Sequence, residues 1–121
     1  MSDYLPTTGL IMHKEWAQKI LAGEKTWEIR SSDISAKRLP LRIGLVVKKE
    51  CIGEVTIMSS IPLSPVALQS AASFLHHRVP QSKMRLVSYR KPHAWVLVDP
   101  IAYSEPKQAK RKPGQVTWIK F

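Results

Sequence analysis

The sequence predicts an α+β fold: a small, mostly antiparallel and strongly curved β-barrel with two flanking helices, occupying residues 1–121 as one domain. Three observations predict it. Short runs with a period of two, bounded by Gly, Pro and polar clusters, recur along the chain. Two of these runs carry a glycine in their middle, Gly44 and Gly53, which suits a strand only where the sheet bends or another group approaches the backbone. Two other segments, residues 13–22 and 65–76, repeat their apolar residues at helical spacing. A chain of 121 residues can bury one core but not two.

In chain order, Gly9-Leu10-Ile11-Met12 reads as the first strand, and Trp16, Ala17, Ile20 and Leu21 mark the apolar stripe of the first helix. Gly23 suits the left-handed position that ends it. From Thr26 the period changes to two, so that Trp27 and Ile29 face the core while Thr26, Glu28 and Arg30 face away. Residues 31–39 form a polar, basic loop with Lys37 and Arg38 near its end, closed by Pro40. Residues 41–47 and 51–58 are strands joined by a hairpin at Lys48-Lys49-Glu50. Ser64-Pro65 has the order of a helix cap followed by proline in the first turn, opening the second helix. Residues 94–98 and 116–120 supply the closing strands.

The charge is one-sided. Nineteen Lys and Arg face nine Asp and Glu, for a formal +10. Residues 1–54 carry nine basic and seven acidic side chains, residues 55–121 ten and two, so the excess is +2 in the first part and +8 in the second. Such a field selects an anionic partner with salt-sensitive association, and nucleic acid fits better than a membrane because the chain has no long basic amphipathic helix. No apolar run reaches membrane-spanning length. The lone Cys51 forms no internal disulfide and suits a reducing cytoplasm. Candidate nucleic-acid contacts are Lys37, Arg38, Arg85, Arg90, Lys91, Lys110, Arg111 and Lys112 for phosphates, with Tyr89 to stack a base.

Chemistry is expected at the helix-to-strand corner, where Lys25, Glu28 and Arg30 gather within six residues on one side. A solvated ion cluster on an exposed strand would look the same. The sequence lacks a phosphate-cradling Gly-rich loop, a Cys pair and a His-Glu-x-x-His arrangement, and the adjacent His76 and His77 would project about 100° apart on a helix. No metal site and no required cofactor are therefore expected. A transient Mg²⁺ or Mn²⁺ held by Glu28 or Glu54 with substrate phosphates stays compatible with the residues present.

The stretch Gly23-Glu24-Lys25-Thr26-Trp27-Glu28-Ile29-Arg30 closely resembles the signature of the ASCH domain family, in which a helix ends at Gly and a Lys-x-x-Glu-x-Arg pattern follows. Residues 11–21 with Trp16, the run Ala94-Trp95-Val96-Leu97 and the run Gly114-Gln115-Val116-Thr117-Trp118 extend the resemblance over nearly the whole chain, while residues 59–90 match nothing specific. The resemblance implies a PUA-like barrel with helices beside it and a cleft for RNA or nucleotide-like ligands. Some small members are amidohydrolases acting on N4-acetylcytidine through a lysine, a threonine and a glutamate. Lys25 matches that lysine, but Glu28 stands where the threonine would be, and the later glutamate has no counterpart here, Glu54 lying too early. Other small members are described as ribonucleases.

The leading expectation is accordingly an RNA-binding protein, with whether it is an enzyme left open; if it cleaves single-stranded RNA, Glu28 would be the base toward the ribose 2′-hydroxyl or a metal holder, and Lys25 and Arg30 would stabilise charge on the phosphorane. Replacing Glu28 should then remove turnover and spare the fold. The alternatives are a non-catalytic reader of RNA or modified bases, stacking on Trp27, Tyr89 or Trp95, and the N4-acetylcytidine amidohydrolase.

Overall fold

A computed structural model describes residues 6–86, 90–110 and 117–121. Tyr89, Arg111 and Lys112 lie outside the described residues. Strands β1 (Thr8–Ile11), β2 (Trp27–Arg30), β3 (Leu41–Val47), β4 (Glu50–Pro62), β5 (His93–Gln108) and β6 (Trp118–Lys120) form one sheet in the order β2-β5-β4-β3-β1-β6. Every neighbouring pair is antiparallel except β1 with β3.

The sheet curls because its long central strands are bulged. The β4–β5 register shifts at three places, and β3–β4 shifts between Leu45 and Val46; each extra residue bends its strand and adds twist. The curl brings Trp95 of β5 against Trp118 of β6, with ring centroids 5.5 Å apart. Both expected reasons for mid-strand glycine are present. A Cβ on Gly53 would stand 2.6 Å from Leu21 Cδ2 and 2.7 Å from the Ile101 carbonyl, and one on Gly44 would stand 2.8 Å from Cys51 Sγ. The result is a curled half-barrel whose two edge strands, β2 and β6, are not neighbours in the sheet.

Helix α1 (Lys14–Leu21) lays Trp16, Ala17 and Ile20 into the core, and Gly23 takes a left-handed φ of +80° after it. The second expected helix is divided. α2 (Pro65–Leu68) starts at the Ser64 cap, and α3 (Ala71–His77) starts at a second cap, Ser70, whose side chain accepts from the Ser73 N–H at 3.1 Å. Continuous apolar periodicity concealed the break, but a serine hydroxyl offers the backbone an alternative partner and permits a restart. The fold is α+β, with three α-helices among the described residues rather than the two expected. Among the described residues no helix is long and apolar enough to cross a membrane.

The alternation expected for β2 exists and Ile29 is buried in the core as expected, but Glu28, expected to face away, is buried too. Glu28 pairs with Trp95 of β5, so the two share a face, and the Arg30 guanidinium lies 5.9 Å from the Trp95 ring centroid. The charged stripe therefore faces the inside of the curl. Trp27 faces the other way, stacked on His76 of α3 at 4.5 Å between centroids. Sequence periodicity separates two faces without saying which is covered, and here both are.

Candidate functional site

Lys25, Glu28 and Arg30 meet at the open seam of the half-barrel. The turn after α1 sets Lys25 in place, its backbone N–H donating to Lys19 O at 3.1 Å. The Lys25 side chain is 2% exposed and Nζ donates to the His77 carbonyl at 2.7 Å. It lies 3.7 Å from Glu28 Oε1, longer than a hydrogen bond, and 5.4 Å from the Trp16 ring centroid. Arg30 Nε and Nη2 each lie 2.8 Å from Glu28 Oε2. Nη2 also reaches Ile11 O at 3.3 Å, bridging from edge strand β2 to β1. Burial pushes the Lys25 ammonium below the ordinary lysine value; Glu28 opposes this and Arg30 adds to it.

These groups form the floor of a cleft of about 1340 Å³. Ile11 to His13 at the end of β1, Lys14, Trp16 and Gln18 of α1, and Val47 to Glu50 at the β3–β4 hairpin make its walls. The lining holds five lysines and arginines (Lys14, Lys25, Arg30, Lys48, Lys49) against two carboxylates, Glu28 and Glu50. It is an electropositive cleft with apolar walls, suited to an anion that carries a planar apolar part.

The expected nucleic-acid contacts divide. Lys37 and Arg38 are exposed on a 3-10 turn, Ala36–Arg38, before β3, and Arg90 and Lys91 are exposed before β5. Arg85 is exposed on the 3-10 segment Gln81–Leu86, which Lys83 ties to Glu15 of α1 at 2.7 Å. None of these lines the cleft. Lys110 is exposed and follows Ala109, whose N–H donates to Lys49 O at 2.9 Å, so it stands beside the hairpin. Sequence reasoning missed Lys14, Lys48 and Lys49 as cleft residues. Their signal was positional: a hairpin tip and a helix start carry lysines at the same end of the sheet as Lys25.

Glu54, the other acidic candidate, is committed elsewhere. Arg42 Nε donates to its Oε1 at 2.9 Å, and the Tyr103 hydroxyl donates to its Oε2. Burial disfavours the Glu54 carboxylate, yet the bonds from Tyr103 and Arg42 outweigh it and hold its pKa below the usual value. Burial and Glu54 together push the Tyr103 phenol upward. Among the described residues no group of three or more His, Cys, Asp or Glu is placed to hold a metal ion.

His77 does structural duty behind the floor. The Val79 N–H donates to its Nδ1 at 2.9 Å, which leaves the proton on Nε2 to donate to Leu68 O at 3.0 Å. Burial pushes its pKa below 6.5, helped by Lys25 and His76. Below that value the unfolded chain takes up a proton that the folded one resists, so stability falls as pH drops through the interval, by at most about 1.4 kcal/mol per pH unit for one proton. Urea midpoints between pH 5 and 8 should show this loss, and His77→Gln, less stable throughout, should show a flatter profile. Parallel profiles would refute the assignment.

The ASCH domain sequence model matches residues 10–107. No curated protein sequence matches the chain significantly. Among solved structures, ASCH from Zymomonas mobilis is similar, with 22% identity and a TM-score of 0.73 over 94% of this chain and 86% of that one. A single-residue variant of the same protein gives 20% identity and a TM-score of 0.74 over 97% and 91%. At these identities the structures support the fold alone, whereas the family match spans most of the chain and covers the whole corner from Gly23 to Arg30. The chain belongs to the ASCH domain family.

Proposed function

We propose that this protein binds single-stranded RNA and takes one nucleotide into the cleft at the barrel seam. The observation that carries this reading is the cleft's construction. The buried Lys25 and Glu28 with the half-buried Arg30 form a polar floor, Trp16 and Ile11 give apolar walls, and Lys14, Lys48 and Lys49 stand at the rim. A base needs hydrogen-bonding groups at its edge and apolar surface on its faces, while its phosphate needs cations. Membership of a broadly RNA-associated family supports the same reading.

A second reading, cleavage of the bound strand, draws on the lowered pKa of Lys25 beside Glu28. In that reaction the 2′-hydroxyl attacks the adjacent phosphorus and its proton passes to Glu28. The P–O5′ bond breaks and the 5′-oxygen takes a proton from the Lys25 ammonium, which the proton on Glu28 then restores, giving a 2′,3′-cyclic phosphate end and a 5′-hydroxyl end while Arg30 stabilises the phosphorane oxygens. A divalent ion at Glu28 would compete with Arg30 for Oε2, so cleavage is expected to survive chelation.

One experiment tests both readings: labelled single-stranded RNA is incubated with purified protein, with and without chelator, beside Glu28→Gln. Salt-sensitive retention of intact RNA supports the binder. Defined new ends that persist in chelator and disappear in Glu28→Gln support cleavage. No retention at low salt and no new ends would reject both.

A further inference from the structure

Two groups of exposed basic side chains flank the central strands at opposite ends, and only one group, through Lys14 and Lys49, contributes to the cleft lining. Lys37 and Arg38 precede β3 and Lys91 precedes β5, whereas Lys49 follows β3 and Lys110 follows β5. Both strands therefore run from one basic group to the other, and β5 alone is 16 residues long, a path of tens of Å at about 3.3 Å per residue. The cleft opens at the Lys49 end, where Val47 to Glu50, Ile52 and Pro106 contribute to its lining. The Ala109–Lys49 hydrogen bond of 2.9 Å joins the end of β5 to the hairpin tip. Lys14 opens α1 on the same rim.

Building on the RNA-binding reading, we propose that the strand leaves the cleft over the β3–β4 hairpin tip, with its phosphates on Lys14, Lys49 and Lys110, and does not follow Lys37, Arg38 and Lys91. Successive phosphates of a single strand are only a few Å apart, so cations contiguous with the bound nucleotide neutralise its neighbours first. Lys91 lies two residues before His93, the partner of Arg30 on the cleft floor, but neither it nor Lys37 and Arg38 line the cleft, so the lining cations Lys14 and Lys49 are met first. All six side chains are exposed, so replacing them changes charge with little effect on packing.

The test compares two triple variants that lose the same charge: Lys14→Ala with Lys49→Ala and Lys110→Ala, and Lys37→Ala with Arg38→Ala and Lys91→Ala. Affinity for a fluorescent single-stranded oligoribonucleotide is measured across a salt series, with melting temperatures confirming the fold. Each phosphate contact adds about 0.7 to the log–log salt slope on a single strand, so the first variant should lose about 2 from the slope and the second less than about 0.7. Equal losses, or a larger loss in the second variant, would overturn the path while leaving RNA binding intact. A parent protein that fails to bind even at low salt would overturn the RNA reading and the path with it.

Discussion

Glu28→Ala should destabilise the fold by roughly 3–5 kcal/mol, the range found when one partner of a buried charge pair is removed. The Glu28 residue is 7% exposed and accepts the Arg30 Nε–H on Oε2, with Nη2 also 2.8 Å from that oxygen and the Lys25 ammonium 3.7 Å from Oε1. Truncation leaves the buried Lys25 and the half-buried Arg30 with no counter-charge between them and removes the side chain opposite Trp95. Glu28→Gln keeps the shape and an oxygen for Arg30, so it should cost clearly less. Urea unfolding of the three proteins at pH 7 checks this. A Glu28→Ala protein within about 0.5 kcal/mol of the parent would show that the cluster is solvated, as an exposed ion pair would be. The expectation that removal of Glu28 spares the fold is thus reversed, and Glu28→Gln becomes the informative variant for any activity measurement.

The corner at residues 23–30 was legible because each of its signals is local. A stripe at helical spacing, a glycine at a left-handed position and a switch to period two leave little freedom in how the chain turns there. Gly44 and Gly53 carried the curvature for a similar reason, since a missing side chain marks where something else stands: Cys51 and Phe121 at one, Leu21 and the Ile101 carbonyl at the other. What stayed hidden was set by distant partners. The inward sense of Glu28 and Arg30 depends on their pairing with β5 across more than sixty residues of sequence. The grouping of cations by end of the sheet depends on strand order, so Lys37 and Lys110 look alike as sequence and lie at opposite ends in the fold. The restart of the helix at Ser70 was visible in composition, but alanines on both sides of it read equally well as one continuous helix.

Lys25→Met should leave stability within about 1 kcal/mol of the parent at pH 7 and still weaken RNA binding about tenfold or more. Three effects nearly cancel in the fold. Burying an ammonium at 2% exposure is costly, as the lowered pKa records, and methionine removes that cost. Against this, the His77 carbonyl loses its 2.7 Å donor, and Glu28 loses one of its two cationic neighbours while keeping both contacts from Arg30. The balance shifts with pH in a known direction. Unfolded lysine holds its proton to about 10.5 while folded Lys25 releases it earlier, so the parent gains stability relative to Lys25→Met as pH rises through that interval. Tyr103 and Cys51, whose pKa values are raised, act equally in both proteins and drop out of the difference. In the complex nothing cancels. A donor at the floor that meets a base edge or a phosphate oxygen contributes about 1.5–3 kcal/mol as a charge-assisted bond, and methionine supplies none of it. Melting temperature and RNA affinity measured on the same preparation separate the two roles, and a folded Lys25→Met protein that binds RNA at the parental affinity would remove Lys25 from the site.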